Sequence, residues 1–118
     1  MRAGEAVGRA AVSGVRREYQ VLRDAANGEA CVRCGARDGT VVLAHYSGVR
    51  RHAYGGGLGA KVHDAVAAHL CGACHAWLDT LSKDKAGRWE HSEEMLHCVA
   101  LTLIRLIERG VLRVGKST

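Results

Sequence analysis

The sequence predicts a small α+β domain held together at its middle by a metal ion. Three observations carry that prediction. Two C-x-x-C pairs, Cys31/Cys34 and Cys71/Cys74, lie 36 residues apart. A short β-branched run follows the first pair and a short apolar run precedes the second, and apolar residues at helical spacing fill both ends of the chain. The elements follow in order. Residues 1–12, rich in Ala, Gly and Arg, read as a disordered lead-in. Residues 13–118 read as one domain, since a chain of 118 residues has little room for a second core. From Ser13 to Ala26, Val15, Tyr19 and Leu22 fall on one helical face, with Asn27-Gly28 as a stop. After the first cysteine pair, "TVVLAHY" predicts a strand. "SGVRRHAYGGGLGAKVHD" reads as a long irregular loop, and "AVAAHL" as a second strand. A helix is expected from near Ala73. The last helix should begin with Ser92 as N-cap, carry Glu93 and Glu94 in its first turn, and stop at Gly110. Its apolar residues cover more than one face, so it should pack centrally, against the first helix or in a dimer with a partner chain.

Composition narrows the function classes. The chain has no Phe, two Trp and three Tyr, so its core relies on small side chains and gains from an internal staple. There is no secretory h-region and no run of membrane-spanning length, which places the expected protein in the cytoplasm, away from any membrane. In that compartment paired cysteines read as metal ligands rather than disulfides. Lys plus Arg number 17 against 12 Asp plus Glu, a net charge of +5 that favours an acidic partner such as DNA.

Two residues between cysteines let one tight turn aim both thiolates at a single ion. Two such turns complete a tetrahedron, so Cys31, Cys34, Cys71 and Cys74 are expected to hold a structural Zn²⁺. Four thiolates leave His75 unused. His75 and Asp79 stand at i and i+4 on the expected helix, on one face, where an imidazole and a carboxylate can share a divalent cation.

The stretch from Cys31 to Asp79 resembles the zinc-knuckled H-N-H (ββα-metal, His-Me finger) endonucleases. "AHY", "GGGLGAKVHD", "LCGACHAWLD" and "SEEMLHCVALTLIRLIERGVL" resemble more closely a family of phage and prophage proteins described as H-N-H-type nucleases. The likeness spans roughly residues 15 to 112. It implies a ββα-metal core flanked by N- and C-terminal helices, and a bacterial host with phage or prophage origin. It implies His45 as the general base, and His75 and Asp79 as ligands of Mg²⁺ or another divalent cation. Asp64, in K-x-x-D, is implied either as a further carboxylate ligand or as the group that orients His45. Arg50, Arg51 and Lys61, in the basic glycine-rich loop, are the candidate phosphate contacts. Two positions depart from the pattern: Ala44 stands where many such enzymes have Asp or His, and Val66 where the middle Asn often falls. The expected activity is metal-dependent hydrolysis of DNA phosphodiester bonds. The alternative is a non-catalytic, zinc-stabilised nucleic-acid-binding module; a third class, a protein-interaction adaptor, would dock through the apolar last helix. His52 and His63 are expected at the surface, His69 in the strand beneath the knuckle, and His91 and His97 in structural places. Cys98 is expected as a small buried side chain.

Overall fold

The computed structural model describes residues 17–115. The expected lead-in 1–12 and residues 13–16 of the expected first helix lie outside that range; within it the helix begins at Gln20, after the extended Tyr19, later than the spacing predicts. Helix α1 (Gln20–Asp24) is followed by strand β1 (Val42–His45), a 3-10 turn (Arg51–Tyr54), strand β2 (Ala67–Leu70), helix α2 (Gly72–Lys83) and helix α3 (Arg88–Glu108). The two strands pair antiparallel, Val42 opposite Leu70, Leu43 opposite His69, Ala44 opposite Ala68 and His45 opposite Ala67. The Tyr46 N–H donates to the Val66 carbonyl at 2.9 Å and carries the ladder one step further. The result is a small α+β unit with a two-stranded sheet and a four-cysteine cluster, as the sequence predicts.

Successive strand residues point to opposite faces, and both faces of this sheet are used. Ala44, Ala68 and Leu70 join Leu78 of α2 and Met95, Cys98 and Val99 of α3 in one buried cluster. His45 belongs to the other alternation, with Leu43, Ala67 and His69. Beside Leu43 and His45 lie Arg23, Ala26 and Asn27 at the end of α1. All four residues of β2 are buried, which explains the apolar "AVAAHL" run.

The last helix starts four residues before the expected N-cap. Gly87 precedes its first residue, and Ser92 lies inside, buried. Nothing between Arg88 and Ser92 opposes a helix, and the Ser92 hydroxyl is engaged elsewhere: it meets the Tyr46 hydroxyl at 2.5 Å. The helix stops where predicted, at Gly110 with φ +75°. Glu94, expected as a first-turn charge, pairs instead with Arg33 at 3.3 Å.

Tyr46 anchors the loop between the strands. Its hydroxyl accepts the Arg50 N–H at 2.9 Å, and a Cβ on Gly48 would stand 2.5 Å from that hydroxyl, so only glycine lets the backbone lie so close. The loop is therefore less irregular than its composition implies, with the 3-10 turn closed by Gly55 at φ +98°. Tyr46→Phe leaves a buried serine hydroxyl and a backbone N–H without their partner. It is expected to cost about 1–3 kcal/mol in chemical denaturation, and an unchanged midpoint would show that the bridge is not structural.

Candidate functional site

Two sites emerge. The first is the four-cysteine cluster, whose sulfurs all lie within 4.8 Å of one another. Local backbone makes each half. In the first knuckle the Gly35 N–H donates to the Cys31 carbonyl at 2.9 Å, with Gly35 at φ +82°. In the second, Cys71 is the N-cap of α2 and its sulfur accepts the Cys74 N–H at 3.5 Å. The Val32 N–H donates to the His69 carbonyl and fastens the first knuckle to β2. Cys34 and Cys71 sulfurs stand 3.7 Å apart, matching the ~3.8 Å edge of a tetrahedron with zinc–sulfur bonds of about 2.3 Å.

The charges of the free thiols explain why a dication suits this place. Burial works to raise the Cys31 pKa, but N–H donors around the sulfur outweigh it and bring the thiol down to about 6. Burial and the neighbouring sulfurs push Cys74 up to about 12, against the nearby Arg33 guanidinium. Crowded thiolates oppose one another's ionisation, and a Zn²⁺ ion removes that conflict. Cys98 stands apart, fully buried, with burial raising its thiol to about 11.

The second site centres on His45. Its Nε2 lies 2.7 Å from Asp64 Oδ1. Asp64 is only 2 % exposed, and both its oxygens are engaged. Oδ2 accepts the Tyr19 N–H at 2.7 Å and Arg23 Nε at 2.9 Å, while Oδ1 also accepts Arg23 Nη2 at 3.3 Å. Asp64 is expected either as a ligand of the catalytic ion or as the group that orients His45; its lone pairs are turned to protein donors, and among the described residues it joins no cluster of metal donors. The same carboxylate meets the His45 ring, the contact that the orienting role calls for.

This pairing assigns the His45 tautomer. Burial alone raises the Asp64 pKa, yet the hydrogen bonds from Arg23, His45 and Tyr19 outweigh it and hold the group below its usual range. An ionised carboxylate only accepts, so Nε2 must carry the proton. In the neutral ring Nδ1 then keeps its lone pair. A pocket of about 310 Å³ opens beside His45, with Lys61, Asn27 and Arg23 among its walls.

Asp64 also sets an acid limit on stability. Its folded pKa is depressed, so its contribution is fully present above the unfolded value of about 3.9 and is lost as pH falls through the lower folded value. The difference in melting temperature between wild type and Asp64→Asn should therefore be constant above about pH 5 and shrink below about pH 4. Protonation of the cysteines is common to both chains, so the difference is the readout. A gap independent of pH would remove the ionised-carboxylate assignment.

The remaining candidates are dispersed. His75 is half-buried and Asp79 exposed on α2. Asp79 acts on His91 of α3, where burial lowers the histidine pKa and the Asp79 charge opposes it, with a net lowering. Among the described residues, the four cysteines form the group of three or more close metal-donor atoms; His45, His75 and Asp79 are not gathered into another. Lys61 lines the His45 pocket, whereas Arg51 lines a different one with Arg88 and His91. Arg50 is exposed. His52 and His97 are exposed, as expected, but His63 is half-buried, stacked obliquely on Tyr19 at 5.5 Å. His69 is buried in β2 with its Nδ1 3.1 Å from Arg105 Nη1. Sequence reasoning missed Tyr19 and Arg23 as supports of Asp64, and no local signal links them to it. Ala44 is 2 % exposed within the core cluster, so the first departure from the H-N-H pattern is a packing residue. Val66, the second, packs against the same cluster.

No family model, curated protein or solved structure matches the chain. Among the described residues, no helix is long and apolar enough to cross a membrane.

Proposed function

We propose that the chain is a zinc-stapled endonuclease of the H-N-H type that hydrolyses DNA phosphodiester bonds. The observation that carries this reading is the His45–Asp64 pair, which leaves Nδ1 as an acceptor beside a pocket lined by Lys61. Water held at Nδ1 gives its proton to the imidazole as its oxygen bonds to phosphorus. The bond from phosphorus to a sugar oxygen breaks, and that oxygen takes up a proton from solvent. Asp64 keeps the ring in place and stabilises the imidazolium that forms, the role a buried carboxylate plays toward a basic histidine. Lys61 lines the same pocket, where its ammonium would meet phosphate charge.

His75 and Asp79 are the residues assigned to a divalent ion. Two protein donors suit Mg²⁺, which keeps several waters and takes further oxygens from substrate phosphate. A divalent ion held by these two side chains would supply positive charge to a phosphate of the strand. The net charge of +5 favours DNA as partner.

One observation favours the second reading, a zinc-stabilised nucleic-acid-binding module: apolar Ala44 is packed into the core where a further ligand is common in H-N-H sites. Supercoiled plasmid incubated with zinc-loaded protein and Mg²⁺, Mn²⁺ or no added ion separates the two. Relaxed or linear product that requires the divalent ion supports the enzyme. Binding without cutting under every ion transfers the conclusion to the module.

A further inference from the structure

A second pocket, of about 240 Å³, lies where the loop after β1 meets the end of α2 and the start of α3. Ser47, Arg51, Ser82, Arg88 and His91 are among its walls. We propose that it is a phosphate-binding subsite, taking one phosphate group of a nucleic-acid strand whose neighbouring phosphates pass His45. The proposal rests on the nucleic-acid reading above for the identity of the strand, and on the pocket alone for the phosphate.

Four features point to an anion. Two guanidinium side chains line one small cavity, and Arg88 has no ion pair among the described residues. His91 is 2 % exposed, yet its ring makes no hydrogen bond with any described residue and faces this cavity. A buried imidazole without a protein partner is an N–H donor left for a ligand. The Ser47 hydroxyl adds a neutral donor, while the Ser82 hydroxyl already donates to the Asp79 carbonyl at 2.7 Å. Finally, Arg88 opens a helix of 21 residues, whose first-turn N–H groups and positive dipole end favour negative charge. Asp79 and the first-turn Glu90 are the opposing charges near these groups. The two arginines equal these two carboxylates in number, and of the four charged groups only the arginines line the cavity.

The walls are set before any ligand arrives. Gly48 lies against the Tyr46 ring, Tyr46 is tied to Ser92 one residue beyond His91, and the Arg51 N–H donates to the Gly48 carbonyl at 3.1 Å. Ser47 follows His45 by two residues, so their Cα atoms are at most about 7 Å apart. That separation is of the order of one or two nucleotide steps along a strand, each about 3.4 Å of helix axis.

The test uses the full zinc-loaded chain and follows histidine ring nitrogens by NMR during titration with inorganic phosphate. The His91 ring should shift saturably while the exposed His97 does not. An Arg51→Gln, Arg88→Gln double variant should raise the phosphate Kd read at His91 at least about tenfold, and Arg113→Gln, exposed beyond the far end of α3, should not. A thymidine dinucleotide with a 5′-phosphate should shift His91 more strongly than its 5′-hydroxyl counterpart. With duplex and single-stranded DNA, the double variant should lower the slope of log K against log salt by about one, the loss of one phosphate contact. A His91 ring unmoved by phosphate, or a double variant that binds it like wild type, overturns the subsite. Phosphate binding with an unchanged salt slope overturns the strand assignment. Neither arm needs DNA cleavage, so failure of the nuclease reading and failure of this one are separately visible.

Discussion

Replacing Cys71 with Ser is expected to release the zinc and abolish the cooperative unfolding transition. Cys71 has three roles: it is one of four clustered sulfurs, it is buried in the core, and it caps α2 through the Cys74 N–H. Serine is a good N-cap, so the substitution keeps the cap while removing the thiolate. What remains is the metal effect. Structural zinc binding is worth roughly 10–16 kcal/mol in small zinc domains at neutral pH, more than the whole stability of most domains of this size. The core available to compensate is built from Ala, Val, Leu and Met around the sulfurs themselves. Zinc per chain from elemental analysis, together with a thermal melt followed by circular dichroism, checks both halves. Cys98→Ser is the control: a fully buried thiol outside the cluster, whose loss should cost about 1–3 kcal/mol and leave one zinc per chain. If Cys71→Ser binds no zinc yet melts like wild type, the ion is not the staple.

The second large effect is catalytic. Should the proposed activity hold, His45→Ala removes the only acceptor assigned to the attacking water's proton. The expected loss is about 10²–10⁴-fold in cleavage rate. Folding should survive, because Asp64 keeps its hydrogen bonds from Arg23 and Tyr19. DNA affinity should change little, since the arginines and Lys61 are untouched. Asp79→Ala provides the contrast: a weakened ion site should recover part of its activity as Mg²⁺ or Mn²⁺ is raised, whereas His45→Ala should not recover at any concentration. Cleavage by His45→Ala at the wild-type rate would take the base away from His45 and leave the zinc fold intact as a conclusion.

The contrast between these two sites explains what a sequence makes legible. A C-x-x-C knuckle is local: four residues and a glycine such as Gly35 determine its turn, so both halves of the metal cluster could be recognised independently. The strands and α2 were legible for a similar reason, since short-range alternation and helical spacing follow from the side chains alone. The start of α3 was not. Ser92 has the side chain of a cap, and only the arrival of Tyr46, 46 residues earlier, converts its hydroxyl into an interior partner.

The same holds for the candidate functional groups. Sequence placed His45 at a strand end and Asp64 in a charged loop, but gave no reason for the carboxylate to be buried. Burial follows from α1, which brings Arg23 to Asp64 across 41 positions and adds the Tyr19 N–H. A carboxylate so engaged cannot offer free lone pairs to a metal. Likewise, Arg50, Arg51 and Lys61 look like one basic group along the chain, but the loop fold sends Arg51 to Arg88 and His91 and leaves Lys61 beside His45. By itself the sequence determined the fold class, the four cysteines that cluster and the chemical types available. Tertiary structure alone decided which of those groups meet, because a side chain's hydrogen bonds and ionisation depend on long-range neighbours that local spacing does not encode.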